Sequence, residues 1–267
     1  MGGSDGSDGA GGADGADPSA TTADQAALAE LIGRSERIVA LTGAGISVPS
    51  GIPDFRSPGS GLWENVDPMT VATIEAFHRD PKVFWDFYRS RLHLVRDTQP
   101  NAAHEALAEL ERRGKCEAVI TQNIDRLHRA AGSRTVIEVH GSVDTASCTR
   151  CDGRWRFAEI DELFDSEGVA RCTNCSGPVK PDVVLFGELL PVAAIERARE
   201  LASTADLLLC VGSSLEVYPV AELPELTLGA VGTLAIVNQG PTPFDDVAAV
   251  RLTGDVATEL PAVVDQL

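Results

Sequence analysis

Four cysteines, one histidine and a glycine-rich turn carry most of the chemistry legible in this chain. Cys148-x-x-Cys151 is followed by Cys172-x-x-Cys175, with 20 residues between the pairs. Two residues between thiolates let one tight turn present both sulfurs to a tetrahedral ion, and Gly153 and Gly177 beside the pairs suit such turns. Four thiolate ligands close the coordination sphere. The expected metal at Cys148, Cys151, Cys172 and Cys175 is therefore one structural Zn2+, not a catalytic ion. Just upstream, Val136-Ile137-Glu138-Val139-His140-Gly141 puts an imidazole at the end of an apolar strand. A histidine titrating near neutrality can take a proton from a hydroxyl, although the same residue type also serves as a hydrogen-bonded structural group.

The third feature is a strand, Arg37–Leu41, that runs into Thr42-Gly43-Ala44-Gly45-Ile46-Ser47. Glycines at such a turn let backbone N–H groups approach a pyrophosphate. Val48 stands where the usual dinucleotide fingerprint has its third glycine, so this turn alone also reads as a tight strand-to-helix connection. Other strand ends are polar too: Thr121-Gln122-Asn123-Ile124-Asp125, Gly212-Ser213-Ser214 and Asn238-Gln239-Gly240. An open α/β sheet binds ligand at the carboxyl ends of its strands, and several polar ends converging there argue for a nucleotide crevice.

The elements that must position these residues alternate along the chain. Strand-like runs are Arg37–Thr42, Ala118–Thr121, Val136–Val139, Val183–Phe186, Leu207–Val211, Leu234–Asn238 and Ala248–Leu252. Helical patterns lie between them, notably Ala102–Arg113 and Ala193–Ala202. Continuous apolar strands separated by helices predict an α/β fold: a Rossmann-like parallel sheet domain. A smaller domain, made of a four-cysteine zinc ribbon and a helical insertion, interrupts it. The expected division is an acidic, Gly-rich disordered tail over 1–23, a nucleotide-binding domain over 24–55, 101–145 and 179–267, a helical module over 56–100, and a ribbon over 146–178. Asp24 is the expected cap of a first helix that carries Leu28, Leu31 and Ile32 on one face and ends at Gly33.

Bulk properties bound the function. A net charge of −18 disfavours direct binding to nucleic-acid phosphates. Arginine dominates the bases, with Lys82, Lys115 and Lys180 the only lysines, and acidic residues are spread throughout, as on a hydrated surface suited to concentrated salt. There is no apolar run long enough to span a membrane and no secretory pattern at the start, so a cytoplasmic protein with reduced thiols is expected. Cys210 reads as a buried strand residue and Cys116 has no assigned role; His78, His93, His104 and His128 read as structural.

These pieces in this order resemble the sirtuins, the NAD-dependent protein-lysine deacylases. The matching residues are Gly43-Ala44-Gly45-Ile46-Ser47, Gly51-Ile52-Pro53-Asp54-Phe55-Arg56, Thr121-Gln122-Asn123-Ile124-Asp125, His140-Gly141 and the four cysteines. Pro181-Asp182-Val183-Val184-Leu185-Phe186-Gly187-Glu188 and Gly212-Ser213-Ser214-Leu215-Glu216-Val217-Tyr218-Pro219 complete the set. The resemblance implies NAD as cofactor. Gly43, Ala44 and Gly45 would meet the pyrophosphate with Arg56 nearby, Ile46, Ser47, Asp54 and Trp63 would also belong to the cofactor site, and Phe55 would shield the reacting ribose. Ile52 and Asp125 would hold the carboxamide; Gln122 and Asn123 would bind the nicotinamide ribose, Asn123 with a catalytic role; Ile124 would also belong to the cofactor site. Gly212, Ser213, Ser214, Asn238, Gln239, Gly240 and Val256 would take the adenosine half. His140 would be the general base, and the products would be nicotinamide, O-acyl-ADP-ribose and free lysine. The substrate would be an acyl-lysine protein or peptide, added as a strand along Val183, Phe186, Gly187 and Glu188.

The acyl pocket is also suggested. Tyr88 and Arg91, three residues apart on one helix face, resemble the carboxylate reader of the sirtuin branch that removes succinyl and malonyl groups, and Val71-Ala72-Thr73 resembles the same branch, with the small Ala72 leaving room. Asp54 instead resembles the deacetylase branches, and an Arg91–Asp86 surface pair is the competing explanation. Two other functions use the same residues: mono-ADP-ribosyl transfer from NAD, and a zinc-ribbon binding module without catalysis.

Overall fold

Alternation along β1 (Ile38–Thr42) sets the architecture. Ile38 and Ala40 enter one apolar layer and Val39 and Leu41 another, none of them more than 1% exposed. A strand buried on both faces needs helices above and below it. The computed structural model describes residues 18–54 and 66–267. Its strands continue with β2 (Cys116–Thr121), β3 (Val136–Glu138), β4 (Gly141–Cys148), β5 (Arg154–Arg156), β6 (Val179–Val183), β7 (Leu207–Val211), β8 (Thr233–Val237) and β9 (Val250–Leu252). The helices are α1 (Pro18–Arg34), α2 (Pro68–Val71), α3 (Ile74–Arg79), α4 (Pro81–Asp97), α5 (Ala102–Arg112), α6 (Leu127–Ala130), α7 (Val192–Thr204), α8 (Leu223–Gly229) and α9 (Val256–Val264). Among the described residues no helix is long and apolar enough to cross a membrane.

The large sheet is parallel throughout, in the order β3-β2-β1-β7-β8-β9. Helices α1, α5 and α9 cover one face through Leu28, Ile32, Leu107, Leu110, Leu260 and Val263. Helices α7 and α8 cover the other through Ile195, Leu201 and Leu223. The direction of strand addition reverses between β1 and β7, so the crevice beyond their carboxyl ends is the topological switch point.

A second sheet, β5-β4-β6, is antiparallel. It shares a core with α3 and α4, built on Phe77, Phe84, Trp85, Phe157, Ile160 and Val179. The Phe77, Phe84 and Trp85 rings meet edge to face at 5.1 and 5.3 Å between centroids. This small sheet takes in 141–145 and 179–183, so it reaches beyond the 146–178 span expected for the ribbon.

Three expectations need correction. Helix α1 starts at Pro18, so Asp24 lies inside it and the helix continues past Gly33 to Arg34. Proline suits a first helical turn, and the alanines after it favour helix. Residues 18–23 are thus helical, while 1–17 lie outside the described residues. Strand β2 includes Cys116 as its first residue, where the sequence reading placed that residue before the strand. Finally, Val183–Phe186 is no strand of the large sheet. Val183 closes β6, Val183 and Leu185 enter the small module's core, and Phe186 makes an isolated parallel bridge to Thr73. An apolar run carries no mark of which sheet it joins.

Candidate active site

At the switch point the ends of β1 and β7 touch through glycines. Gly43 N donates to Val211 O at 3.2 Å and Gly45 N to Gly212 O at 2.8 Å. A Cβ on Gly45 would stand 2.9 Å from Gly212 Cα, and one on Gly212, whose φ is +60°, would stand 2.1 Å from Ile46 N. Side chains are excluded here by backbone against backbone. The turn continues as a 3-10 helix, Ala44–Ser50, with Ile46 and Ser47 buried beneath it.

A polar cluster backs this turn. Ser47 Oγ donates to Asp125 Oδ2 at 2.6 Å, and Leu127 N donates to Asp125 Oδ1 at 2.9 Å. Asn123 Nδ2 donates to Gly43 O at 3.0 Å and Ser47 Oγ at 3.1 Å. Gln122 Nε2 donates to Ser213 Oγ at 3.0 Å. Burial raises the Asp125 carboxyl above the ordinary range, against the lowering effect of Ser47 and the Leu127 amide. Arg126 and Leu215, just beyond two strand ends, both hold left-handed φ, at +67° and +55°. Such strain collects at functional sites.

His140 follows β3. Its Nδ1 lies 2.9 Å from Gln122 O. A carbonyl only accepts, so Nδ1 carries the proton and Nε2 keeps its lone pair. Burial lowers the imidazole's pKa, which favours the neutral ring, and the hydrogen bond to Gln122 O opposes that fall. Gly141 behind it has φ +76°, and a Cβ there would lie 2.1 Å from Asp182 O.

The structure brings together most residues singled out from the sequence: Gly43, Gly45, Ser47, Gln122, Asn123, Asp125, Gly212 and Ser213 are hydrogen-bonded to one another at the switch point, Ala44 lies between the first two glycines, and His140 is tied in through Gln122. Ile52 and Asp54 are half-buried just past the glycine turn, and Ile124 packs toward the small module's core. Asn238 turns its amide onto Gly240 O at 2.9 Å, Gln239 is exposed, and Ser214 is half-buried. Val256, 5% exposed, puts its side chain into the core with Ile46, leaving its backbone as what it can offer a ligand. Phe55, Arg56 and Trp63 lie outside the described residues.

Among the residues expected to face a substrate, Ala72 is buried and its carbonyl accepts from Phe186 N at 2.9 Å; Phe186 O accepts from Ile74 N at 3.0 Å. Phe186 therefore has its backbone already paired, while its ring is 48% exposed. Glu188 turns inward, accepting from Leu185 N at 2.8 Å. On α4, Tyr88 stacks on Phe84 at 4.6 Å, and burial raises its phenol pKa while Arg91 opposes that rise. The Arg91 guanidinium lies 3.8 Å over the Phe87 ring and donates to Phe87 O. Asp86 pairs with Lys82 Nζ at 2.5 Å, while Arg91 lies on Phe87.

Two histidines read as structural lie directly under the site. His104 Nε2 is 3.5 Å from Ser47 Oγ, while its Nδ1 accepts from Asn101 N at 3.3 Å in the cap of α5. His128 Nε2 is 2.8 Å from Thr42 Oγ1 at the end of β1. Their rings meet edge to face at 4.9 Å. The available sequence signal was Asn101 three residues before His104, a cap-box spacing.

The four thiolates converge. Their Sγ atoms all lie within 4.8 Å of one another, with Cys148–Cys175 and Cys151–Cys172 both at 3.5 Å. Tetrahedral zinc at ~2.3 Å from each sulfur wants sulfurs ~3.8 Å apart, so the cluster fits the ion. Amides help hold it: Arg150 N donates to Cys148 Sγ and Asn174 N to Cys172 Sγ, each at 3.3 Å.

The chain is similar to known proteins along most of its length. The Sir2 family profile matches residues 43–219. An NAD-dependent protein deacetylase of Thermotoga maritima is 45% identical over 227 residues, 85% of this chain and 92% of that protein. One from Sulfurisphaera tokodaii is 47% identical over 238 residues, 89% of this chain and 94% of that protein. NAD-dependent protein deacylase 2 of Archaeoglobus fulgidus is 45% identical over 240 residues, with 90% and 94% covered. Among solved structures, a Sir2–p53 peptide–NAD+ complex matches with a TM-score of 0.84 at 43% identity, covering 90% of this chain and 97% of that chain. Sir2Tm bound to a propionylated peptide matches at 0.82 and 42%, with the same coverage. A family match that runs from the glycine turn past the Gly212 strand end, joined to relatives this similar over most of both chains, makes this chain a member of the Sir2 family.

Proposed function

We propose that this chain is an NAD-dependent protein-lysine deacylase. The observation that carries the reading is the His140 ring, half-buried at the switch point and oriented by Gln122 O on Nδ1 so that Nε2 is the nitrogen left to act as base. The crevice suits a dinucleotide: glycine backbones with no room for Cβ, and side chains of Ser47, Asn123 and Asp125 behind them. NAD, when bound, supplies an electrophilic ribose carbon and a leaving nicotinamide. Asn123 and Gln122 hold the ribose, Asp125 accepts from the carboxamide, and His140 Nε2 takes a proton from a ribose hydroxyl. The four cysteines would hold a structural zinc, which would fix the small sheet and, through β6, the segment we assign to the peptide.

We read the acyl specificity as acetyl together with acidic acyl groups. Arg91, free of Asp86, and Tyr88 beside it are the supporting pair. We read the acidic surface as salt-adapted and the protein as cytoplasmic; thermal stability rising with KCl supports the first, and full stability at low salt refutes it.

The deciding assay is nicotinamide release with an acetyl-lysine peptide and NAD labelled in the adenosine. Label recovered in a small acyl ester supports deacylation. Label on protein indicates ADP-ribosyl transfer, and no release at all indicates a binding module.

A further inference from the structure

An ion pair holds the segment that faces the substrate. Lys180 Nζ donates to Val183 O at 2.6 Å, to Pro181 O at 3.1 Å and to Glu188 Oε2 at 3.0 Å. An ammonium has three protons, and all three are used here. The same Glu188 oxygen accepts from Leu185 N, and Glu188 N donates to Leu185 O at 3.0 Å. Lys180 and Glu188 side chains are only 12% and 24% exposed, so solvent screens this pair little.

The rest of the segment is pinned on both sides. Val184 N donates to His140 O at 2.8 Å, and Phe186 pairs with Ala72 and Ile74. The Lys180–Glu188 pair brackets both anchors, joining the chain before Val184 to the chain just past the corner at Gly187, whose φ is +87°. Without the ammonium, Glu188 loses its counter-ion and two carbonyls lose their donor. The carboxylate would then turn to water and release the Leu185 amide, and the loop would have to be ordered at each binding event.

We propose that Lys180 is a positioning residue for the acyl-lysine peptide: paired with Glu188, it holds the backbone against which the peptide lies and so sets peptide affinity, without touching NAD. This rests on the deacylase reading above. The test is steady-state nicotinamide release by wild type, Lys180→Met, Lys180→Arg and Glu188→Gln, with zinc content and thermal melting recorded for each. Lys180→Met should raise the peptide KM about tenfold, change kcat less, and leave the NAD KM within about twofold. Lys180→Arg, which keeps the charge, should recover most of the loss. An unchanged peptide KM in folded Lys180→Met, a parallel rise in the NAD KM, or no recovery with arginine overturns the proposal. Should Lys180→Met fail to fold, Glu188→Gln decides by the same criteria. A wild-type enzyme that releases no nicotinamide overturns the deacylase reading itself.

Discussion

His140 and Val184 are joined by their backbones: His140 O accepts from Val184 N at 2.8 Å. The residue proposed as the base is thereby tied to the segment proposed to face the peptide, and the tie does not involve the imidazole. His140→Ala should therefore keep the fold, losing only the ring's bond to Gln122 O, worth about 1 kcal/mol. Deacylation should drop by about 10²–10⁴-fold. Turnover that survives in a folded His140→Ala removes this residue from the mechanism.

Stability should fall in mild acid. Burial holds His104 at about 4 and His128 at about 3, against an ordinary 6.5. Their folded-state pKa values are depressed, so below about pH 6.5 the unfolded chain binds protons that the folded chain refuses. Stability is full above that pH and is lost as pH drops toward 4. At about 1.4 kcal/mol per pH unit, His104 alone accounts for about 3 kcal/mol. Melting temperature should decline from pH 6.5 to 5, and His104→Gln should flatten that decline; an equal slope in the variant counts against this account.

Gly45→Ala tests the glycine contact. Its Cβ would press on Gly212 Cα at 2.9 Å, and neither backbone can yield cheaply. A destabilisation of about 1–3 kcal/mol is expected, with a raised KM for NAD. Wild-type melting and an unchanged NAD KM would show that the contact is loose.

Removing zinc should act on the small module. The thiolate cluster links the β4 end to the turn before β6, and β6 leads into Val183–Glu188. Chelation should abolish deacylation and lower the melting temperature, and added Zn2+ should restore both. Cys175→Ser should weaken metal retention. Full activity in metal-free protein would separate the cluster from the site.

Arg91→Met distinguishes acyl groups. Its guanidinium rests on Phe87, beside the Tyr88 phenol. Succinyl-peptide kcat/KM should fall at least about tenfold, as for loss of a charge-assisted pair, while acetyl-peptide kcat/KM holds. Equal losses on both peptides would assign Arg91 to packing.

Local spacing was enough for the chemistry that needs only neighbours. Two Cys-x-x-Cys turns announce four thiolates, an apolar run ending in His140 announces a strand-end imidazole, and glycines after β1 announce a close backbone approach. Continuous apolar runs likewise announced a sheet buried on both faces. These features depend on turn geometry and side-chain period, which a short stretch specifies by itself.

Partners far apart in the chain were decided by the tertiary structure alone. It put β7 beside β1, so Gly212 meets Gly45, and it gathered Ser47, Asn123 and Asp125 into one hydrogen-bonded group. It moved Val183 and Leu185 from the large sheet to the small core, and it turned Glu188 inward onto Lys180. Strand order and ion pairing across long loops follow from the packing of whole layers, and no local period in the sequence encodes them.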